Sequence, residues 1–336
     1  MADEDMSDYP TMFDPASLVR KGFCPVHSGL SLLHTHSLYY EQHGTGRQRV
    51  VLISGLNTNS FAWEFQVREL AQKYSVLVFD NRGVGYSGYP AGRYTTSGMA
   101  QDIVTLLDHI GWKSPREIHV VGTSLGGMIA QGSPLSSRYK YTVDVLKSKE
   151  LASSIPERIA SLTLAVTTPG GRPWQNLPPW EGVKCLTRLL FIAEPEKKAP
   201  TVMKMLYTPS WLEASSLIDP GRTNRQVQTE TYLRRVVFGP KQQVIGHISQ
   251  LGAGLTHHVS ETRLARIAGT IPKVVILCGD QDHLMDLQHS RDLKAAMPDA
   301  EFVQWDNTGH GIHSQRPIEF RDLLMRVFEE AEQDRK

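Results

Sequence analysis

Apolar residues fall along the chain in two alternating rhythms. Short runs at 50–53, 76–79, 118–121, 160–166 and 273–278, apolar but for His119, Ser161, Thr163 and Lys273, have the length and β-branched content of buried strands. Residues 61–74, 99–110 and 287–297 instead space their apolar positions three and four apart, as Ile103, Leu106, Leu107 and Ile110 do, and predict helices. A further strand at 301–305 and a helix at about 318–330 end the pattern. Strands that alternate with helices predict a mostly parallel sheet covered on both faces. Residues 38–42 and 50–53, with the turn residues His43, Gly44, Thr45 and Gly46 between them, predict an antiparallel pair opening that sheet.

The alternation stops between 170 and 259. Helical spacing recurs there near 183–192, 200–205, 226–237 and 241–255 without a clear strand, which predicts an inserted helical lobe or lid. The expected organisation is a polar, loosely draped leader (1–17), an α/β core (18–169 and 260–336) and the lobe (170–259). One more break follows residue 131, where Gly132, Ser133 and Pro134 interrupt a helix that cannot pass through proline. Setting residues 132–149 aside joins Gln131 to Glu150 and restores the helical reading, so this segment is expected to be an inserted loop or a translated intron.

Chemistry concentrates where one strand ends. His119-Val120-Val121-Gly122-Thr123-Ser124-Leu125-Gly126-Gly127-Met128 runs from strand to helix through GxSxGG, a turn whose glycines leave room to hold Ser124 exposed at a sheet tip. A serine hydroxyl needs a base, and the base needs an orienting acid. His310, on a loop after the strand at 301–305, is the favoured base over His313. Asp282, beyond the strand at 273–278, is favoured over Asp280 because the later residue of the turn can point back to the histidine. An oxyanion needs two N–H donors. Leu125 follows the nucleophile, and Leu56 lies in Ser54-Gly55-Leu56-Asn57 after the strand at 50–53.

Together these segments resemble the α/β-hydrolase family, in its capped esterase, peptidase and enol-lactonase-like branch. Asp80-Asn81-Arg82-Gly83-Val84-Gly85-Tyr86-Ser87 is similar to that family's DxRGxGxS turn, and Gly309-His310 to Pro317 to its GHxxxxExP segment. The order serine, aspartate, histidine is the family's. The resemblance spans about 38–328. It implies an eight-stranded-type sheet with an inserted helical cap, and a triad of Ser124, Asp282 and His310. Two positions depart from it: Ser54 stands where the family has a histidine, and Gln315 where it has a glutamate. Arg82 is expected to buttress its turn. A serine nucleophile argues against the epoxide hydrolase and dehalogenase relatives, which attack through a carboxylate.

Composition narrows the partners. Lys and Arg number 36 against 35 Asp and Glu in 336 residues, which offers no electrostatic case for nucleic acid or an anionic membrane. Cys24, Cys185 and Cys278 form no CxxC pair, so neither a disulfide framework nor a zinc site is expected, and the adjacent His257 and His258 do not make a metal pair. No apolar run can span a bilayer and no presequence pattern is visible, so a cytoplasmic protein is expected. Two or three of Trp174, Trp180, Phe191, Tyr207, Trp211, Tyr232 and Phe238 are expected to line a pocket, the others forming the lobe's own core. The reading is a serine hydrolase of a small or medium apolar ester, lactone or thioester, needing no cofactor or metal. A catalytically silent binding protein, an acyltransferase, a peptidase and a C–C hydrolase are the alternatives, and oligomeric state is not encoded visibly.

Overall fold

The computed structural model describes residues 6–26, 35–132 and 155–333. Its centre is one eight-stranded sheet of β1 (Leu18–Val26), β2 (His36–His43), β3 (Arg49–Ile53), β4 (Ser75–Phe79), β5 (Ile118–Thr123), β6 (Ile159–Ala165), β7 (Lys273–Gly279) and β8 (Glu301–Trp305). The spatial order is β1-β2-β4-β3-β5-β6-β7-β8. β1 pairs antiparallel with β2 and β2 antiparallel with β4, and the remaining pairs are parallel.

β2 and β3 are therefore not the antiparallel pair expected from their turn residues. β4 lies between them, and the turn itself explains why. Gly44, at φ 71°, and Gly46 press on the carbonyls of Ala71, Lys73 and Tyr74 with no room for a side chain, while Ser75 Oγ donates to the carbonyl of Gly46 at 2.7 Å. The connection thus runs across the start of β4 and reaches the strand beyond. β1 was not visible as a strand because Arg20, Lys21 and Pro25 break its apolar pattern. Such residues are tolerated on an edge, where they block further pairing.

Period-2 alternation sends Val51, Ile53 and Val120 to one face and Val50, Leu52 and Val121 to the other. The first face is covered by α2 (Thr96–His109), α3 (Leu125–Gln131), α9 (Glu261–Thr270) and α10 (Leu287–Ala296), and the second by α1 (Glu64–Leu70) and α12 (Pro317–Gln333). A short α11 (Ile312–Gln315) leads into α12. The 170–259 stretch folds as α4 (Trp180–Leu190), α5 (Pro195–Leu206), α6 (Pro209–Glu213), α7 (Asn224–Phe238) and α8 (Val244–Leu255), with only isolated bridges of β type. Its two ends meet: Val259 N donates to Pro169 O at 2.8 Å and Gly171 N to His257 O at 3.1 Å. α6 and α9 were not read from the sequence. The insertion expected at 132–149 lies outside the described residues beyond Gly132, which ends α3.

The leader is not loose over 6–17. Tyr9 packs edge-on against Phe23 and Tyr86, and Phe13 is buried with its ring 5.4 Å from Phe61 and 4.8 Å from His43. Two aromatic side chains in a polar stretch gain more from burial than the stretch gains from freedom. Phe13→Ala is expected to lower the unfolding free energy in urea by about 3 kcal/mol. A change under about 0.5 kcal/mol, the ordinary surface value, would restore the loose-leader reading.

Candidate active site

β5 delivers Ser124 into a backbone conformation few side chains adopt, φ 54° and ψ −121°. Such strain costs on the order of 1–3 kcal/mol and persists only where the surroundings over-determine it. They do so here: Ser124 N donates to Ala165 O at 3.0 Å, while Ser124 O accepts from Gly127 N at 2.9 Å and Thr167 Oγ1 at 2.8 Å. Gly122 abuts the Gly126 carbonyl and Gly126 the Ile53 carbonyl, so a β-carbon at either would force the turn off the end of β3. The half-buried Ser124 also faces Gly55, where a β-carbon would stand 3.3 Å from the serine Cβ.

The loops after β7 and β8 bring the candidate acid and the candidate base into direct contact. His310 Nδ1 lies 2.7 Å from Asp282 Oδ2, with side-chain exposures of 8% and 3%. Asp282 Oδ1 accepts from the backbone N–H groups of Leu284 at 2.7 Å and Met285 at 2.9 Å. Both carboxylate oxygens are thereby engaged as acceptors, which assigns the imidazole proton to Nδ1 and leaves the Nε2 lone pair for a donor. Asp280, the rejected acid, is exposed and accepts from Thr308 N at 3.0 Å, so it staples the two loops together.

His313, the alternative base, is half-buried with both ring nitrogens shielded from solvent. Its ring sits 4.7 Å from that of Trp63, and burial, aided by Arg235 and His310, pushes its pKa down to about 3. Gln315 is buried and holds the His310 loop: its Oε1 accepts from Gly309 N at 2.9 Å and its Nε2 donates to Asn307 O at 2.7 Å. The departure from glutamate thus keeps a tether, with an amide that both accepts and donates. Gly311 N donates to Leu206 O at 2.8 Å, which seats the same loop beneath the end of α5.

Leu125 opens α3, and Leu56 lies half-buried in the loop after β3. Ser54 braces that loop: its buried Oγ accepts from Trp63 Nε1 at 3.0 Å, and its carbonyl from Asn81 Nδ2 at 3.1 Å. Arg82 makes a two-pronged pair with Asp102 at 2.6 and 2.5 Å. Burial pushes the Asp102 carboxyl up, yet Arg82 and His36 outweigh it and hold the group below its ordinary value. His257 is buried against Thr96 Oγ1 at 3.0 Å, and burial, aided by His258, lowers its pKa to about 3. Among the described residues no group of three side chains could hold a metal ion.

The loops carrying Leu56, Ser124, Asp282 and His310 follow β3, β5, β7 and β8, all parallel, so they leave the sheet along one carboxyl edge. That edge is where open α/β sheets bind ligands. The model of the alpha/beta hydrolase family matches residues 50–323. The chain belongs to that family. RutD of Caulobacter vibrioides, assigned by inference as a carbamate hydrolase, is 27% identical over 88% of this chain and 96% of its own. Solved structures share this α/β-hydrolase fold: a thermophilic esterase from Thermogutta terrifontis (TM-score 0.67, 19% identity, 93% of this chain and 99% of that one) and the enol-lactonase of Burkholderia xenovorans LB400 (TM-score 0.63, 21% identity, 88% and 97%).

Of the seven aromatics in the helical stretch, Tyr207, Trp211 and Tyr232 join a small cluster with Val202, Met203 and Leu212, and Phe238 packs on Phe61. Trp174, Trp180 and Phe191 are instead exposed. No helix among the described residues is long and apolar enough to cross a membrane.

His257 and His313 are neutral when folded and titrate near 6.5 when unfolded, so unfolding takes up protons below about pH 6.5. The stability they contribute is complete above that pH and is lost as pH falls toward about 3. Urea unfolding at pH 7 and pH 5 is expected to differ by roughly 2 kcal/mol per histidine. His313→Phe, which preserves the stack on Trp63, is expected to flatten the slope. An unchanged slope would mean that residue 313 is already titrating in the fold.

Proposed function

We propose that the chain is a serine hydrolase that forms an acyl-enzyme on Ser124. The observation that carries this reading is the buried Asp282–His310 hydrogen bond, on the same sheet edge as a serine held at positive φ. Ser124 Oγ attacks the acyl carbonyl while its proton passes to His310 Nε2. Asp282 keeps the ring in the tautomer that can accept it and stabilises the imidazolium. The oxyanion is held by the N–H groups of Leu56 and Leu125, and His310 returns the proton to the leaving oxygen, or to the sulfur of a thioester. Water then repeats the sequence and frees the acid. Serine, histidine, aspartate and water supply every group the reaction needs, so no cofactor enters.

The substrate in this reading is a small or medium apolar ester, lactone or thioester, roofed by the 170–259 helices acting as a lid. Two contacts favour that roof. Gly182 of α4 rests on the backbone of His283, next to the acid, and a β-carbon at Gly254 of α8 would stand 3.9 Å from Leu125 Cδ1. The similarity to RutD favours one second reading, hydrolysis of a carbamate by the same residues.

A fluorophosphonate probe is expected to label the wild type stoichiometrically and Ser124→Ala not at all. Asp282→Asn is expected to lower kcat for p-nitrophenyl esters by about 10⁴-fold with the fold intact, because the ring loses its tautomer. A folded wild type that resists the probe would sink the reading. Ester turnover that survives Ser124→Ala would sink it equally. Turnover of a carbamate but of no ester, lactone or thioester would select the second reading.

A further inference from the structure

The roof over the site is also wired into it. Gln250, on the inner face of α8, is wholly buried and bridges two loops: its Oε1 accepts from Asn57 N at 2.9 Å and its Nε2 donates to Arg82 O at 2.8 Å. Asn57 is the residue after Leu56 and holds a left-handed φ of 55°. Its side chain is gripped from the same region. Gln242 Nε2, just before α8, donates to Asn57 Oδ1 at 2.9 Å and to Gly83 O at 2.9 Å, and Asn57 Nδ2 lies 2.6 Å from His247 Nδ1.

Three residues of one helix and its lead-in thus hold the one residue whose backbone sets the peptide beside the oxyanion donor. A buried amide that lost either bond would carry an unsatisfied polar group, so the bridge holds while α8 is docked. Asparagine adopts a left-handed φ more readily than most residues, so at Asn57 it is the hydrogen bonds that fix the backbone, and their loss would leave the Leu56 segment free to turn. The segment passes close to the nucleophile, since a β-carbon added at Gly55 would stand 3.3 Å from Ser124 Cβ.

We propose that Gln250 is a positioning residue for the oxyanion hole, placing Leu56 N–H only when α8 is seated, so that the lid and the catalytic donor form one unit. This rests on the serine-hydrolase reading of the site. Opening α8 to admit substrate dismantles the donor, and closing it restores the donor, so acyl transfer is confined to the closed form and the open form is idle.

The test uses the full-length wild type, Gln250→Leu and Gln250→Glu, with sites counted by fluorophosphonate labelling run to completion. Per labelled site, Gln250→Leu is expected to lower kcat for p-nitrophenyl butyrate by about 30-fold with KM within about twofold, less than the full loss of an oxyanion donor. Gln250→Glu keeps an oxygen for Asn57 N–H but sets its other oxygen against the Arg82 carbonyl, so it is expected to lower kcat per site at least as far as leucine, a loss that a filler of space would not show. An unchanged kcat per site in Gln250→Leu overturns the proposal, as does a Gln250→Glu that keeps the wild-type kcat. Should Gln250→Leu fail to fold, Gln242→Leu is read in its place, with a severalfold drop in kcat expected and no drop overturning the proposal. A wild type that is not labelled defeats the hydrolase reading instead, and the bridge is then judged by amide exchange at Asn57. Faster exchange in Gln250→Leu upholds it and unchanged exchange overturns it.

Discussion

One hydrogen bond organises the site: a buried imidazole joined at 2.7 Å to a carboxylate whose other oxygen already serves two backbone N–H groups. Its strength depends on burial, since water would compete for both partners, and on loops that cannot drift apart. The Asp280–Thr308 bond and the two-handed Gln315 tether supply that second condition. The sheet supplies the rest, because parallel neighbours β7 and β8 start their loops from adjacent points of the same edge.

Much of the fold could be read from the sequence, because each central strand is buried on both faces and so appears as a short, mostly apolar run. Where burial is one-sided or the strand is an edge, that signal fails. β1, with its charges and Pro25, went unseen for that reason, and the placement of β4 between β2 and β3 depends on a loop crossing that no local pattern announces. The leader misled in the opposite sense. Its polar composition hides Tyr9 and Phe13, which are anchored by rings far along the chain.

The candidate site divides in the same way. Ser124, Asp282 and His310 stand in local contexts of strand, turn and glycine that can be recognised one at a time, and the structure joins the latter two directly. The sequence context favours His310 over His313, and it is the direct bond of His310 to Asp282, against the stack of His313 on Trp63, that sets the two rings apart. Gln250 and Asn57 had no local signature. They lie 193 positions apart, and only the return of α8 over the sheet edge makes them neighbours. Candidate site residues are thus legible where backbone geometry demands them, whereas the contacts that brace their loops are set by long-range packing.

The most direct measurement is a crystal structure of the protein after reaction with a small fluorophosphonate. The account predicts phosphorus on Ser124 Oγ, one phosphoryl oxygen within about 2.7–3.1 Å of both Leu56 N and Leu125 N, and His310 Nε2 facing the leaving position. An adduct on another residue, or a His310 ring turned away from residue 124 while still bonded to Asp282, would contradict it.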